Sequence, residues 1–114
     1  MNIKDIKNWF EIAIPEPTIE QACIQVGCHF EEVGEMMESI NMGGTDAIIN
    51  IESEAEDFKQ TYSHWVHRVE DCDRIELLDS LCDQIVTAIG VAHMLGMDIE
   101  GALEEVNRSN HSKF

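Results

Sequence analysis

With 114 residues the chain is long enough for one domain and too short for two, and an apolar content of 44% argues against a disordered acidic tail. Its 23 acidic residues against 7 basic ones leave a net charge of −16, with no concentrated basic patch of the kind that grips a phosphate backbone, which argues against nucleic-acid polymers as partners. A phosphate-bearing small molecule stays admissible if divalent cations stand between it and the carboxylates, because a bound metal reverses the sign of the local field.

From Ile3 to Ile14 the apolar residues Ile3, Ile6, Trp9, Phe10 and Ile14 recur at helical spacing, and Pro15 with Pro17 ends the segment. Thr18 followed by Gln21 reads as a capping box. Behind it Ile19, Ala22, Cys23, Val26, Phe30, Val33, Met37 and Ile40 repeat at three and four, so a second, long helix is expected to run to about Met42. Gly43 and Gly44 stop it, and Thr45 is placed to cap a weaker third helix through Ile48, Ile51, Ala55 and Phe58 toward Trp65. Asp71 or Asp73 opens a fourth helix whose apolar positions run from Ile75 to Leu95 and close at Gly96. Asp98 starts a last one through Ile99, Leu103 and Val106, with Asn107 to Phe114 as a polar tail.

Strand signals are close to absent, so the expected class is all-α, a bundle of four to five helices. After Asp83 the fourth helix reads Ile85, Val86, Ala88, Ile89, Val91, Ala92, Met94 and Leu95, apolar on more than one face. Such a helix needs cover on all sides, which points to a homodimer or homotetramer. The four cysteines have neither CxxC nor zinc-site spacing and read as reduced, mostly buried small hydrophobes. No charged-then-apolar leader and no long apolar run is present, so the expected location is the cytoplasm, with no membrane partner.

The chemistry is expected from carboxylates. Glu31, Glu32 and Glu35 fall within an arc of about 100° on the second helix, with Glu38 extending the row, and no basic residue is interleaved to relieve their repulsion. A solvated acidic face is the plain alternative. On the fourth helix Glu76, Asp79 and Asp83 share an arc of about 60°. Glu76 is explained by capping and Asp79 by the helix dipole, whereas Asp83 lies beyond both effects and borders the apolar run. Two helices each projecting carboxylates suit a hard, oxygen-preferring ion such as Mg²⁺ or Mn²⁺. A di-iron bundle is excluded, because no histidine has an acid three positions before it. His64 and His67 lack a third ligand in register, and no serine sits in a nucleophile-elbow frame.

With these residues in view, the sequence resembles the MazG-like branch of the all-α nucleoside triphosphate pyrophosphohydrolases, a superfamily that includes phosphoribosyl-ATP pyrophosphohydrolase and the dimeric dUTPases. Glu31-Glu32-Val33-Gly34-Glu35 matches the first motif of that family, EExxE. Asp83, the apolar run Ile85 to Leu95 and the turn Leu95-Gly96-Met97-Asp98 match its second region. The likeness covers roughly residues 18 to 114 and implies one helical domain over 1–114, with 1–17 a short first helix and proline linker.

It departs where the family glutamate falls on Ser80, the nearest acid being Asp79; Glu76-Leu77-Leu78-Asp79 fits ExxD literally but sits one turn too far from the glycine turn. The resemblance implies Glu32, Glu35, Asp79 and Asp83 as ligands of Mg²⁺, with Mn²⁺ as substitute and Glu31 and Glu76 as second choices. Glu31 would take a proton from the attacking water, and catalysis would rest on Glu31, Glu32, Glu35 and Asp83. The tail from Val106 to Phe114 resembles the phosphate-contacting tail of the family, with Arg108, Asn110 and Lys113 toward substrate and Ser109 where many members place a lysine. The implied reaction splits a nucleoside triphosphate between its α and β phosphates. A phosphoribosyl-ATP hydrolase of the same fold and a non-enzymatic acidic interaction module are the alternatives.

Overall fold

The computed structural model describes residues 3–113, and Phe114 of the tail lies outside them. The described residues form six helices and no strand: α1 (Ile3–Ala13), α2 (Ile19–Ser39), α3 (Asp46–Lys59), α4 (Val66–Glu70), α5 (Arg74–Met94) and α6 (Ile99–His111). The all-α expectation holds, with six helices in place of four or five. Contacts divide the chain into two units, one formed by Pro17–Cys72 and the other by the segments on either side of it. No helix among the described residues is long and apolar enough to cross a membrane.

In the Pro17–Cys72 unit, α2 starts where Thr18 takes an extended backbone. Thr18 Oγ1 accepts from the Gln21 amide at 3.2 Å, and Gln21 Oε1 accepts from the Thr18 amide at 2.8 Å, so two otherwise orphaned donors are satisfied together. The helix ends at Ser39, short of Met42, because Asn41 turns into the left-handed region at φ 67° and Gly44 follows at φ 81°. Thr45 stands at the N-cap of α3 without capping it: its hydroxyl donates back to the Met42 carbonyl at 2.7 Å. Helix α3 stops at Lys59 instead of reaching Trp65. A turn holding the buried Ser63 follows, its hydroxyl accepting from the Trp65 amide at 3.2 Å, before the short α4.

Helices α2 and α3 pack closely because of small residues. A methyl group placed on Gly27 would stand 2.5 Å from Lys59 Cγ and 2.7 Å from the Ala55 carbonyl oxygen, so only glycine fits this approach. Cys23, Ile48 and Ala55 are buried around it, and the Cys23 thiol donates to the Phe58 carbonyl at 3.4 Å. Phe58 meets Phe30 edge-on, with ring centroids 5.2 Å apart, and stacks flat on Trp65 at 5.1 Å; the Arg68 guanidinium lies 5.2 Å from the Trp65 ring. These ring pairs fix the end of α3 against the α4 turn.

In the other unit, Asp73 caps α5 by accepting from the Ile75 and Glu76 amides, both at 3.1 Å, and Gly96 closes it at φ 69°. Asp98 caps α6 through the Gly101 amide at 3.0 Å. The segment expected as a polar tail is helical to His111, since Arg108 pairs with Glu104 at 3.7 Å and with Glu105 one turn back. Helix α1 lies against α6 along a small cleft lined by Ile6, Trp9, Phe10, Leu103 and Val106, and His111 Nε2 is 3.2 Å from the Asp5 carbonyl oxygen. All four cysteines are free as expected, but only Cys23 is buried; Cys82 is exposed because α5 turns that position to solvent.

A candidate carboxylate-lined site

The Gly27 approach determines what faces what further along the two helices. Glu31, Glu35 and Glu38 follow one another on α2 at i, i+4 and i+7, while Glu52 and Glu56 are one turn apart on α3. Together with Ser39 and Ala55 they line an open groove of about 700 Å³ between the two helices. One wall is the row expected from the sequence. The other is Glu52 and Glu56, which the sequence reading did not single out.

A cation from the chain itself enters this field. Lys59, in the last turn of α3, donates to Glu31 Oε2 at 2.6 Å, and that bond holds the ammonium pKa above its ordinary value. Glu32, one position on, is affected differently. The residue as a whole reaches solvent, yet the burial its carboxyl does have pushes its pKa up, followed by the charge of Glu35 and a hydrogen bond with it. Glu31 is therefore the Lys-paired acid of the motif, and Glu32 the one that holds its proton more tightly.

The expected site residues fall in both units. Glu31, Glu32 and Glu35 lie on α2, and the carboxylates brought to face Glu31 and Glu35 are those of α3. Asp79 and Asp83 share one face of α5 and belong to the other unit, as does Glu76 at the capped start of that helix. Arg108 is held by Glu104 and Glu105 on its own helix; Asn110 lines the α1–α6 cleft; Lys113 Nζ is 3.5 Å from Asn110 Oδ1. Among the described residues no three His, Cys, Asp or Glu side chains converge as a ready-made metal cage. The groove instead offers flexible glutamates on two facing walls, an all-oxygen donor set of the kind hard divalent cations take.

Fold and site together define an all-α protein with a carboxylate-walled groove. Compared with known proteins, the chain matches no protein-family model, no curated protein and no solved structure.

Proposed function

We propose that this protein is a Mg²⁺-dependent nucleoside triphosphate pyrophosphohydrolase of the MazG-like all-α kind, acting as a homodimer or homotetramer. It converts nucleoside triphosphates to the monophosphate and pyrophosphate by attack of water on the α-phosphorus. The observation that carries this reading is the groove in which the EExxE residues Glu31 and Glu35 meet Glu52 and Glu56 from α3. Five glutamates around one lysine leave a surplus of negative charge, which favours a phosphate substrate only in company with cations. The groove acids would hold Mg²⁺, and the family resemblance implies Asp79 and Asp83 as further ligands; the ion would supply charge neutralisation to the phosphates and a more acidic water.

The residues divide the remaining work by their environments. Glu31 is fixed at the groove by its ion pair with Lys59. Glu32 holds its proton more tightly than an ordinary glutamate but does not line the groove, so Glu31, which does, keeps the role of general base. Arg108 is engaged by two glutamates on α6 and reaches substrate only by exchanging them for phosphate. Incubation with each common ribo- and deoxyribonucleoside triphosphate and Mg²⁺ tests the reading. Release of pyrophosphate is expected; orthophosphate alone, or no release from any of them, overturns it.

A further inference from the structure

The contact of Lys59 with Glu31 is closely guided and yet weak. Lys59 stands in the last turn of α3, and its stem runs over α2 at Gly27, where an added methyl group would lie 2.5 Å from Lys59 Cγ. Gly27 is one turn before Glu31, so a stem crossing that bare stretch of helix delivers its ammonium to Glu31 Oε2, at 2.6 Å. A side chain at Gly27 would obstruct the path. The pair is therefore a product of the α2–α3 approach and not a chance meeting of two surface chains.

Its strength is limited by solvent. The Lys59 side chain is 31% exposed and that of Glu31 46%. Ion pairs so placed shift an equilibrium by no more than about fivefold, because water and salt screen them and two long chains lose freedom in making them. A guided but weak contact is readily exchanged for a stronger one.

The charge around it says what would be stronger. Lys59 is the one Lys or Arg on α2 and α3, whereas Glu31, Glu35, Glu38, Glu52 and Glu56 all line the groove. A small divalent ion brings two charges into direct contact with carboxylate oxygens, while the ammonium brings one charge through a hydrogen bond. Nor is the ammonium stranded once it leaves Glu31. Its four-carbon stem is flexible, and Glu56 lies one turn back on the same helix.

We propose that Lys59 is a tethered stand-in cation, which occupies Glu31 while the groove holds no divalent ion and gives the carboxylate up when one binds. The exchange keeps the base of the reading above masked until the groove is loaded. It rests on that reading for one point, that the groove takes a divalent cation.

Mn²⁺ binding to the full chain, read from the electron paramagnetic resonance of the free ion, tests the exchange without turnover. Lys59→Met keeps the stem and removes the charge, and is expected to bind Mn²⁺ about two- to fivefold more tightly than the wild type. In the Glu31→Gln background the same substitution should gain nothing, because there is no carboxylate left for the ammonium to withhold. An equal gain in that background means that Lys59 acts through net charge alone, and overturns the proposal. The wild type supplies a measurement that no folding defect can spoil. Acetylation of Lys59 by an amine-selective reagent, read by peptide mass, should quicken at least about twofold when Mn²⁺ saturates the chain, with the exposed Lys4 and Lys7 unchanged. Equal Mn²⁺ affinities of wild type and Lys59→Met, or an acetylation rate that Mn²⁺ leaves unaltered, overturn the exchange and leave the cation reading standing. If neither protein binds Mn²⁺, the cation reading fails and the exchange with it.

Discussion

Gly27→Ala isolates the contact that builds the groove. The new methyl group would lie 2.5 Å from Lys59 Cγ, 2.7 Å from the Ala55 carbonyl oxygen and 3.1 Å from Phe58 Cβ. The lysine stem can swing away, but the carbonyl is backbone, so α2 and α3 must separate by several tenths of an ångström. Overpacking of this kind costs about 1–3 kcal/mol, and the better helix propensity of alanine returns about 1. The net expectation is a loss of up to about 2 kcal/mol, or a melting temperature lower by up to about 8 °C in a domain of this size. Gly34→Ala is the internal control. There the nearest atoms are Ile51 Cγ2 at 3.5 Å and Glu52 Cγ at 3.8 Å, ordinary contact distances, so the propensity gain should dominate and stability should hold or rise. Urea and thermal unfolding of both variants beside the wild type would decide it. If Gly27→Ala is as stable as Gly34→Ala, the two helices do not approach as described, and the facing of Glu31 and Glu35 with Glu52 and Glu56 loses its basis.

Three further outcomes are expected. Raising Mg²⁺ to about ten times its dissociation constant should stabilise the folded chain by about 1.4 kcal/mol, and Glu52→Gln with Glu56→Gln should abolish most of that gain. A melting curve that is the same in millimolar Mg²⁺ and in EDTA counts against cation binding at the groove. Asp83→Asn should lower kcat by roughly a hundredfold, about 2.7 kcal/mol of transition-state stabilisation, while Glu76→Gln loses only about 0.3–1 kcal/mol of helix stability. The reverse result would make Glu76 and Asp79 the ligands. For Glu32 the folded chain binds the proton more tightly than the unfolded one, so its contribution to stability is present at low pH and lost as pH rises through the folded value. Glu32→Gln should therefore raise the melting temperature at pH 7, and the gain should fade below about pH 4; a gain independent of pH would refute the cause assigned to the shift.

Helix boundaries were legible wherever they depend on local chemistry. Thr18 with Gln21, Asp73, Gly96 and Asp98 sit within a few residues of the backbone groups they satisfy, and each acts where the sequence places it. Thr45 misled because its hydroxyl donates to the Met42 carbonyl in the preceding turn, and no α3 amide donates to its oxygen. The continuation of α6 was hidden by its polar composition. Its support is a pair of salt bridges from Arg108, and no apolar stripe marks the last turns. Half of the groove was legible too, since EExxE is contiguous. Glu52 and Glu56 were not, because which face of α3 they occupy is settled by contacts with α2 such as that of Cys23 with Phe58, residues 35 apart in sequence.

A signal for the second wall was nonetheless present. Gly27 and Gly34 stand two turns apart on α2, as do Ile48 and Ala55 on α3, and each pair marks the side on which a helix is approached. Glu31 and Glu38 flank the first pair and Glu52 and Glu56 alternate with the second, so acids on the two helices border one seam. A glycine inside a helix is costly enough to ask what approaches it, and at Gly27 and Gly34 the answer lies within the chain. The α2–α3 seam thus has a bare centre, with its carboxylates displaced to the rim.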